Sequence, residues 1–307
     1  KAGIEEFREA LKTYVKNNCD KPLVLFIDEL DRCNPHYAVK VLEKVKHFFT
    51  VEGIVFVLSI DKVQLCHSIK GYFGSENMDA SEYLRRFIDI EFSLPKPKTI
   101  DYCNFLYDYY SFDDFIDTSA RKQFVIFKNE RKDMVNFASY LFDSNNVTLR
   151  QQEKIFSHSR LTLRSYLPNS FLFPGYFILL IYIKLFKKEL FEKLSNKGAD
   201  IQLLIDDLEA IIDIKKLDID KDQYRYFTYS IAQILVTYNF FDKKYPKREL
   251  FTSNGDNTIT FNFKSSMGNI DQKNLFDMIQ SVTNSRDTDF GIDHFIHKIN
   301  LIPNREE

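Results

Sequence analysis

"LVLFIDELDRCNP" spans Leu23 to Pro35, and an unbroken apolar run from Leu23 to Ile27 leads straight into Asp28, Glu29, Asp31 and Arg32. A surface loop has no need of the apolar run, and a core strand does not tolerate the charges. Together they describe a buried strand whose carboxyl end delivers carboxylates to a site. Unbroken apolarity, rather than alternation, predicts a strand of a parallel sheet covered on both faces.

The sequence on either side supports that frame. Ile4, Phe7, Leu11 and Val15 share one face of an expected helix over residues 4–16, which Cys19, Asp20 and Pro22 end. After Pro35, Val39, Leu42, Val45 and Phe49 recur at helical spacing until "VEG". "IVFVLSI", residues 54–60, is a second buried strand, followed by short helices from Asp61 to Lys70 and from Ala80 to Arg86. "FIDIEFSLP", Phe87 to Pro95, alternates as a third strand should. Strands separated by helical crossovers of about thirty residues indicate βαβ units and an α/β domain.

Beyond Pro97 the character changes. Residues 98–250 are helical in pattern, interrupted by loops near 111–120, 143–147 and 168–175. The apolar stretch "FLFPGYFILLIYI" is broken by Pro174 and Gly175 and is too short for a bilayer core of about 30 Å, so it reads as a buried helix. "NTITFNFK", residues 257–264, predicts a small hairpin, and the tail from Asp271 is helical again. The expected organisation is residues 1–97 as the α/β core, 98–170 as a helical lid and 171–307 as a mainly helical C-terminal domain.

Bulk properties narrow the function classes. A net charge of -2 over 307 residues gives no general attraction for nucleic acid. The cysteines Cys19, Cys33, Cys66 and Cys103 form no CxxC pair, as in a reduced cytoplasmic protein. His294 and His297 lack an acidic or cysteine partner at metal-ligand spacing and read as surface or core histidines. The basic, aromatic stretches "KLFKKELFEKL" from Lys184 and "FDKKYPKREL" from Phe241 read as solvated helix faces.

Ligands bind at the carboxyl ends of strands in open parallel sheets. There the first strand offers Asp28, Glu29 and Asp31, the second Ser59 and Asp61, and Arg85 and Arg86 precede the third. Carboxylates suit hydrated Mg2+ and a base for water, while guanidinium groups suit phosphate oxygens. Phosphoryl transfer needs both, because its catalysis is mostly positioning and charge neutralisation.

Apolar residues followed by Asp-Glu resemble the Walker B motif of additional-strand P-loop ATPases. The longer strings "LVLFIDELDRCNPHYAVKVLEKVKHFF", "IVFVLSIDKVQLCHSIKGYFG" and "EYLRRFIDIEFSLPKP" closely resemble the KAP family of P-loop NTPases. That family includes bacterial phage-exclusion proteins and membrane-associated animal signalling scaffolds. The resemblance runs over about residues 5–165 and implies a nucleotide site using ATP and Mg2+. It implies that Asp28 holds the metal through water and that Glu29 polarises the attacking water. Asp61 falls at the sensor position and Arg86 at the arginine-finger position, with Arg85 beside it as a further phosphate contact. Arg150, in "NNVTLRQQEKIF", falls at a sensor-2 helix start.

Each role has a plainer counterpart. Asp61 is also a good helix N-cap, Arg85 and Arg86 suit a solvated helix end, and Arg150 suits an exposed helix surface. One departure stands out: a phosphate-cradling loop reads GxxxxGK[ST], and no glycine here is followed by lysine. The expectation is a chain that opens at Lys1 downstream of that loop, giving a partial P-loop sheet, a lid and a helical C-terminal region. The function expected is an Mg2+-dependent ATPase acting as a switch in antiphage defence, as a homo-oligomer or with an effector protein. The alternatives are a non-hydrolytic scaffold and, last, an acidic-site nuclease. The implied location is cytoplasmic, with any membrane association left to segments outside these residues.

Overall fold

The computed structural model describes residues 2–212, 221–239, 249–253, 259–284 and 290–300. The chain divides into two compact units, Lys1–Pro95 and Lys96–Glu307.

In the first unit the order is α1 (Ala2–Asn18), β1 (Leu23–Asp28), α2 (Pro35–Lys46), β2 (Ile54–Ser59), α3 (Lys62–Phe73) and α4 (Ala80–Leu84). The strands β1 and β2 are parallel, in a register that pairs Leu23 with Ile54 and Asp28 with Ser59. Local chemistry sets the boundaries. Asn34 accepts a hydrogen bond from the His36 N–H at 3.0 Å, and Pro35 opens α2 with its φ already helical. Gly53 enters β2 at φ 82, and a Cβ there would meet Val15 Cγ1 at 2.8 Å. Only glycine lets the chain turn left-handed this close to α1.

Two cores hold this unit together. Leu30, Ala38, Val39, Leu42, Leu65, Ile69, Ala80, Leu84 and Phe87 form one. Val15, Val51 and Ile54 form the other. The expected third strand is not formed: residues 87–95 run from a turn through a bend into irregular backbone, with no ladder partner among the described residues. Phe87 sits in the core and Glu91 is bridged to Lys62 at 2.6 Å, but Ile90, Phe92 and Leu94 stand in solvent, Leu94 at 94% exposure. Alternation sets which side chains share a face, whereas a strand needs a neighbour to hydrogen-bond, and none lies beside this segment. Coverage of β1 on both faces also fails. Leu23, Leu25 and Ile27 are half-buried, while Val24 and Phe26 are exposed, Phe26 at 72%.

The second unit contains α5 (Thr99–Tyr109), α6 (Asp113–Ile116), α7 (Ser119–Lys122), α8 (Glu130–Ser144), α9 (Leu149–Thr162), α10 (Pro174–Phe186) and α11 (Lys188–Asn196). It continues with α12 (Ile201–Ile211), α13 (Lys221–Tyr238), β3 (Phe251–Ser253), β4 (Ile259–Phe261), α14 (Ser266–Ile270), α15 (Gln272–Asn284) and α16 (Ile292–Ile299). Its axis is α10, buried continuously from Tyr176 to Ile183 within one large core. Gly175 opens this helix where a Cβ would meet Ser230 Oγ at 2.7 Å and Phe137 Cδ2 at 2.9 Å, so α13 and α8 approach it closely. The expected hairpin is present as β3 and β4, antiparallel with Phe251 opposite Phe261. Residues 241–248 of the basic stretch from Phe241 lie outside the described residues.

A buried ion pair ties the loops of this unit. Arg121 is fully buried and meets Glu130 through both Nε, at 3.1 Å, and Nη2. Its Nη1 donates to the carbonyls of Pro168 at 2.9 Å and Ser170 at 2.7 Å. The rings of Phe127 and Phe115 flank the guanidinium at 4.0 and 4.6 Å. A desolvated charge survives only with this degree of pairing.

Candidate functional site

The carboxyl edge of the first sheet gathers the acids. Asp28 is the last residue of β1, Ser59 lies opposite it at the end of β2, and Asp61 follows two positions on. The Asp28 carboxylate accepts the Glu29 N–H at 2.8 Å, and the same N–H reaches the Ser59 carbonyl at 3.2 Å. These bonds close the ladder and leave the Asp28 carboxylate exposed at the strand end.

Glu29 itself turns left-handed, at φ 57, and opens the 3-10 turn Leu30–Arg32. A positive φ at a non-glycine residue costs free energy, and such outliers concentrate at functional sites. Leu30, 2% exposed, anchors the turn in the core. Within it, the Arg32 guanidinium meets Glu29 Oε1 at 2.6 Å.

Asp61 serves as the N-cap of α3: its Oδ1 accepts the N–H groups of Val63 at 2.9 Å and Gln64 at 3.1 Å. The plainer counterpart of the sensor role is therefore present in the geometry, and it places the Asp61 carboxylate at the same sheet edge as Asp28. Arg85 and Arg86, both exposed, close α4. Arg85 bridges Glu82 at 2.8 Å, and the Arg86 guanidinium lies 5.9 Å from the centre of the Tyr83 ring. Both contacts are local, so neither arginine is drawn toward the strand ends by them. Arg150 belongs to the second unit, exposed in the first turn of α9. Thr148 and Gln151 form a capping box there, which explains why the helix begins at Leu149.

A metal at this edge would have Asp28 as its protein ligand. Among the described residues no group of three His, Cys, Asp or Glu side chains converges as a protein cage. That donor set fits Mg2+, which keeps most of its water and shares one or two carboxylates with substrate phosphates. It does not fit a structural zinc or calcium site. His294 instead stacks on Phe290, with ring centres 4.4 Å apart.

The KAP family P-loop domain matches residues 1–166 of the 307, more than half of the chain. The chain belongs to the KAP family of P-loop NTPases. Its KAP domain contains all of the first unit and the second unit as far as Tyr166. A phage T7 exclusion protein of Escherichia coli (strain K12) is 27% identical over 85 residues. That stretch is 28% of this chain and 11% of the relative, so the relative's whole activity lies far beyond what is shared. No solved structure matches. Nucleotide handling of the NTPase type follows from the family. Among the described residues no helix is long and apolar enough to cross a membrane.

Two features of the site region escape sequence reasoning. The Glu29–Arg32 bridge requires the left-handed residue that starts the turn, and glutamate gives no signal for that conformation. The Lys62–Glu91 bridge links residues 29 apart in the chain and has no local pattern.

Proposed function

We propose that the KAP domain is an Mg2+-dependent nucleoside triphosphatase, with ATP as substrate, whose turnover switches an assembly. The observation that carries this reading is the strand end itself: Asp28 opposite Ser59, Glu29 immediately following, and Asp61 on the same edge. Asp28 holds the hydrated metal, which supplies charge neutralisation at the phosphates. Glu29 takes a proton from water as the water oxygen bonds to the terminal phosphorus. The bridging P–O bond to the β-phosphate breaks, and its electron pair leaves on the diphosphate. Asp61 senses the terminal phosphate while it caps α3. Arg86, with Arg85 beside it, acts on a neighbouring subunit's phosphates, which makes the working form an oligomer. Arg150 carries the second phosphate-sensing role.

The biological setting proposed is antiphage defence in the cytoplasm, together with an effector protein. It is supported by the partial similarity to a phage T7 exclusion protein. A second reading is a scaffold that binds without hydrolysis; the two readings differ in whether the whole protein carries a GxxxxGK[ST] loop, which is not among these residues.

The test uses the full-length protein. Asp28→Ala should abolish Mg2+-stimulated turnover. Glu29→Gln should keep nucleotide affinity and lose about 10²- to 10⁴-fold in kcat, the usual worth of a positioned base. Hydrolysis at the wild-type rate in Glu29→Gln rejects the catalytic reading and leaves the scaffold.

A further inference from the structure

We infer that Arg32 is the positioning residue of Glu29: its guanidinium fixes the carboxylate in the orientation from which it meets the attacking water. The inference rests on the base role proposed for Glu29 and adds what orients that base.

Several observations point the same way. The bridge is short, with Nη1 of Arg32 2.6 Å from Oε1 of Glu29. Both side chains are more than half exposed, 54% and 57%, and pairs so exposed to water contribute little to stability. The backbone around the bridge is nevertheless specified in detail. Glu29 is held left-handed at φ 57, its carbonyl accepts the Arg32 N–H at 3.0 Å and the Cys33 thiol at 3.7 Å, and Leu30 is buried beneath. The turn therefore sets the Cα of Arg32 one 3-10 turn from that of Glu29, which puts the guanidinium over the carboxylate.

A free glutamate side chain samples many rotamers, and a base acts only from the fraction that faces its proton. Pairing a base with a third group that fixes its orientation is the general solution in nucleophile-activating sites. Asp31, the other acid of the turn, is half-buried and one position from Arg32, whereas Glu29 sits at the i, i+3 spacing at which side chains meet. Arg32 touches neither nucleotide nor water in this scheme. It acts through Glu29.

The experiment is a double-mutant cycle in the full-length protein, read as kcat, KM and nucleotide affinity. Arg32→Ala should lower kcat roughly 10- to 100-fold, the scale of a misplaced catalytic group. KM and nucleotide affinity should stay within about twofold, a margin well under the tenfold worth 1.4 kcal/mol. Arg32→Lys should recover much of the lost kcat, since lysine keeps the positive charge at the same spacing from Glu29. In a Glu29→Gln background, Arg32→Ala should cause no further loss. A shared fall in kcat and affinity, no recovery by lysine, or an equal loss in both backgrounds would overturn the inference, because each means that Arg32 acts on the fold or on the nucleotide directly. Should Glu29→Gln alone leave turnover intact, the base assignment fails first and the positioning role with it.

Discussion

The two units handle apolar sequence in opposite ways. In the second, the apolar run of α10 disappears into a core: every residue from Tyr176 to Ile183 is buried. In the first, an equally apolar strand, β1, is covered on one face only, with Val24 and Phe26 left in solvent. Val55 of β2 and Ile90, Phe92 and Leu94 are exposed as well. The comparison teaches that an apolar run states a requirement for cover and does not say what provides it. A helical unit of this size supplies its own. A two-stranded parallel sheet does not, since parallel sheets are built to be covered on both faces.

The comparison can be broken at its strongest point first. Arg121→Met should destabilise the second unit by about 3–5 kcal/mol, because Glu130 would be left buried and unpaired. Urea unfolding of the 307-residue chain reads this. Leu180→Ala should cost about 2–5 kcal/mol by the same assay, the range for a fully buried leucine. A loss under about 1 kcal/mol at both positions would mean that the second core is not close-packed.

Effects in the first unit should be smaller. Asp61→Ala removes the cap of α3 and should cost about 1 kcal/mol, while Asp61→Asn should cost far less, since asparagine caps as well as aspartate. If Asp61→Asn keeps stability but loses turnover in the full-length protein, capping and phosphate sensing are separable duties of one side chain.

A pH effect comes next, in the second unit. His158 donates its Nε2–H to the Ile299 carbonyl, 2.8 Å away, and burial pushes its pKa below the usual 6.5, with Lys184 and Lys154 acting in the same direction and the Ile299 bond opposing them. The unfolded chain therefore takes up the proton first. The stability contribution is complete above pH 6.5 and falls as the pH drops below it. His158→Gln should flatten that part of the stability profile relative to wild type. A profile of unchanged slope would show that His158 is not responsible.

The smallest effect belongs to the exposed sheet. Phe26→Ser and Phe92→Ser should each change stability by no more than about 0.5 kcal/mol. Both should reduce self-association and dye binding by the isolated chain. A loss of several kcal/mol at Phe26 would mean that its ring is buried after all.

The strand that carries the candidate site was legible in the sequence, for definite reasons. The run ending at Asp28 could only be a strand with charges beyond its tip, and the register of β1 with β2 puts Ser59 and Asp61 at that tip. The helix start at Arg150 was legible too, and it is α9. The third strand was misread because "FIDIEFSLP" has the period of a strand, yet period is a property of one segment and pairing is a property of two. Burial of both faces of β1 was misread for a related reason: apolarity was taken as evidence of cover. The Arg121–Glu130 pair was illegible because "SARKQ" and "NERKD" look like ordinary solvated charge, and only tertiary packing removes them from water. Arg32 could be seen as part of the acidic-basic string, but its bridge to Glu29 depends on a left-handed turn that the residue types do not announce.

The account depends most on Glu29 being the base at the end of β1. Full-length Glu29→Gln protein incubated with ATP and Mg2+, then separated from free nucleotide, tests this directly through the nucleotide it retains. The account predicts intact triphosphate on the protein, with diphosphate accumulating at least about 100-fold more slowly than in wild type. Diphosphate formed at the wild-type rate would contradict it.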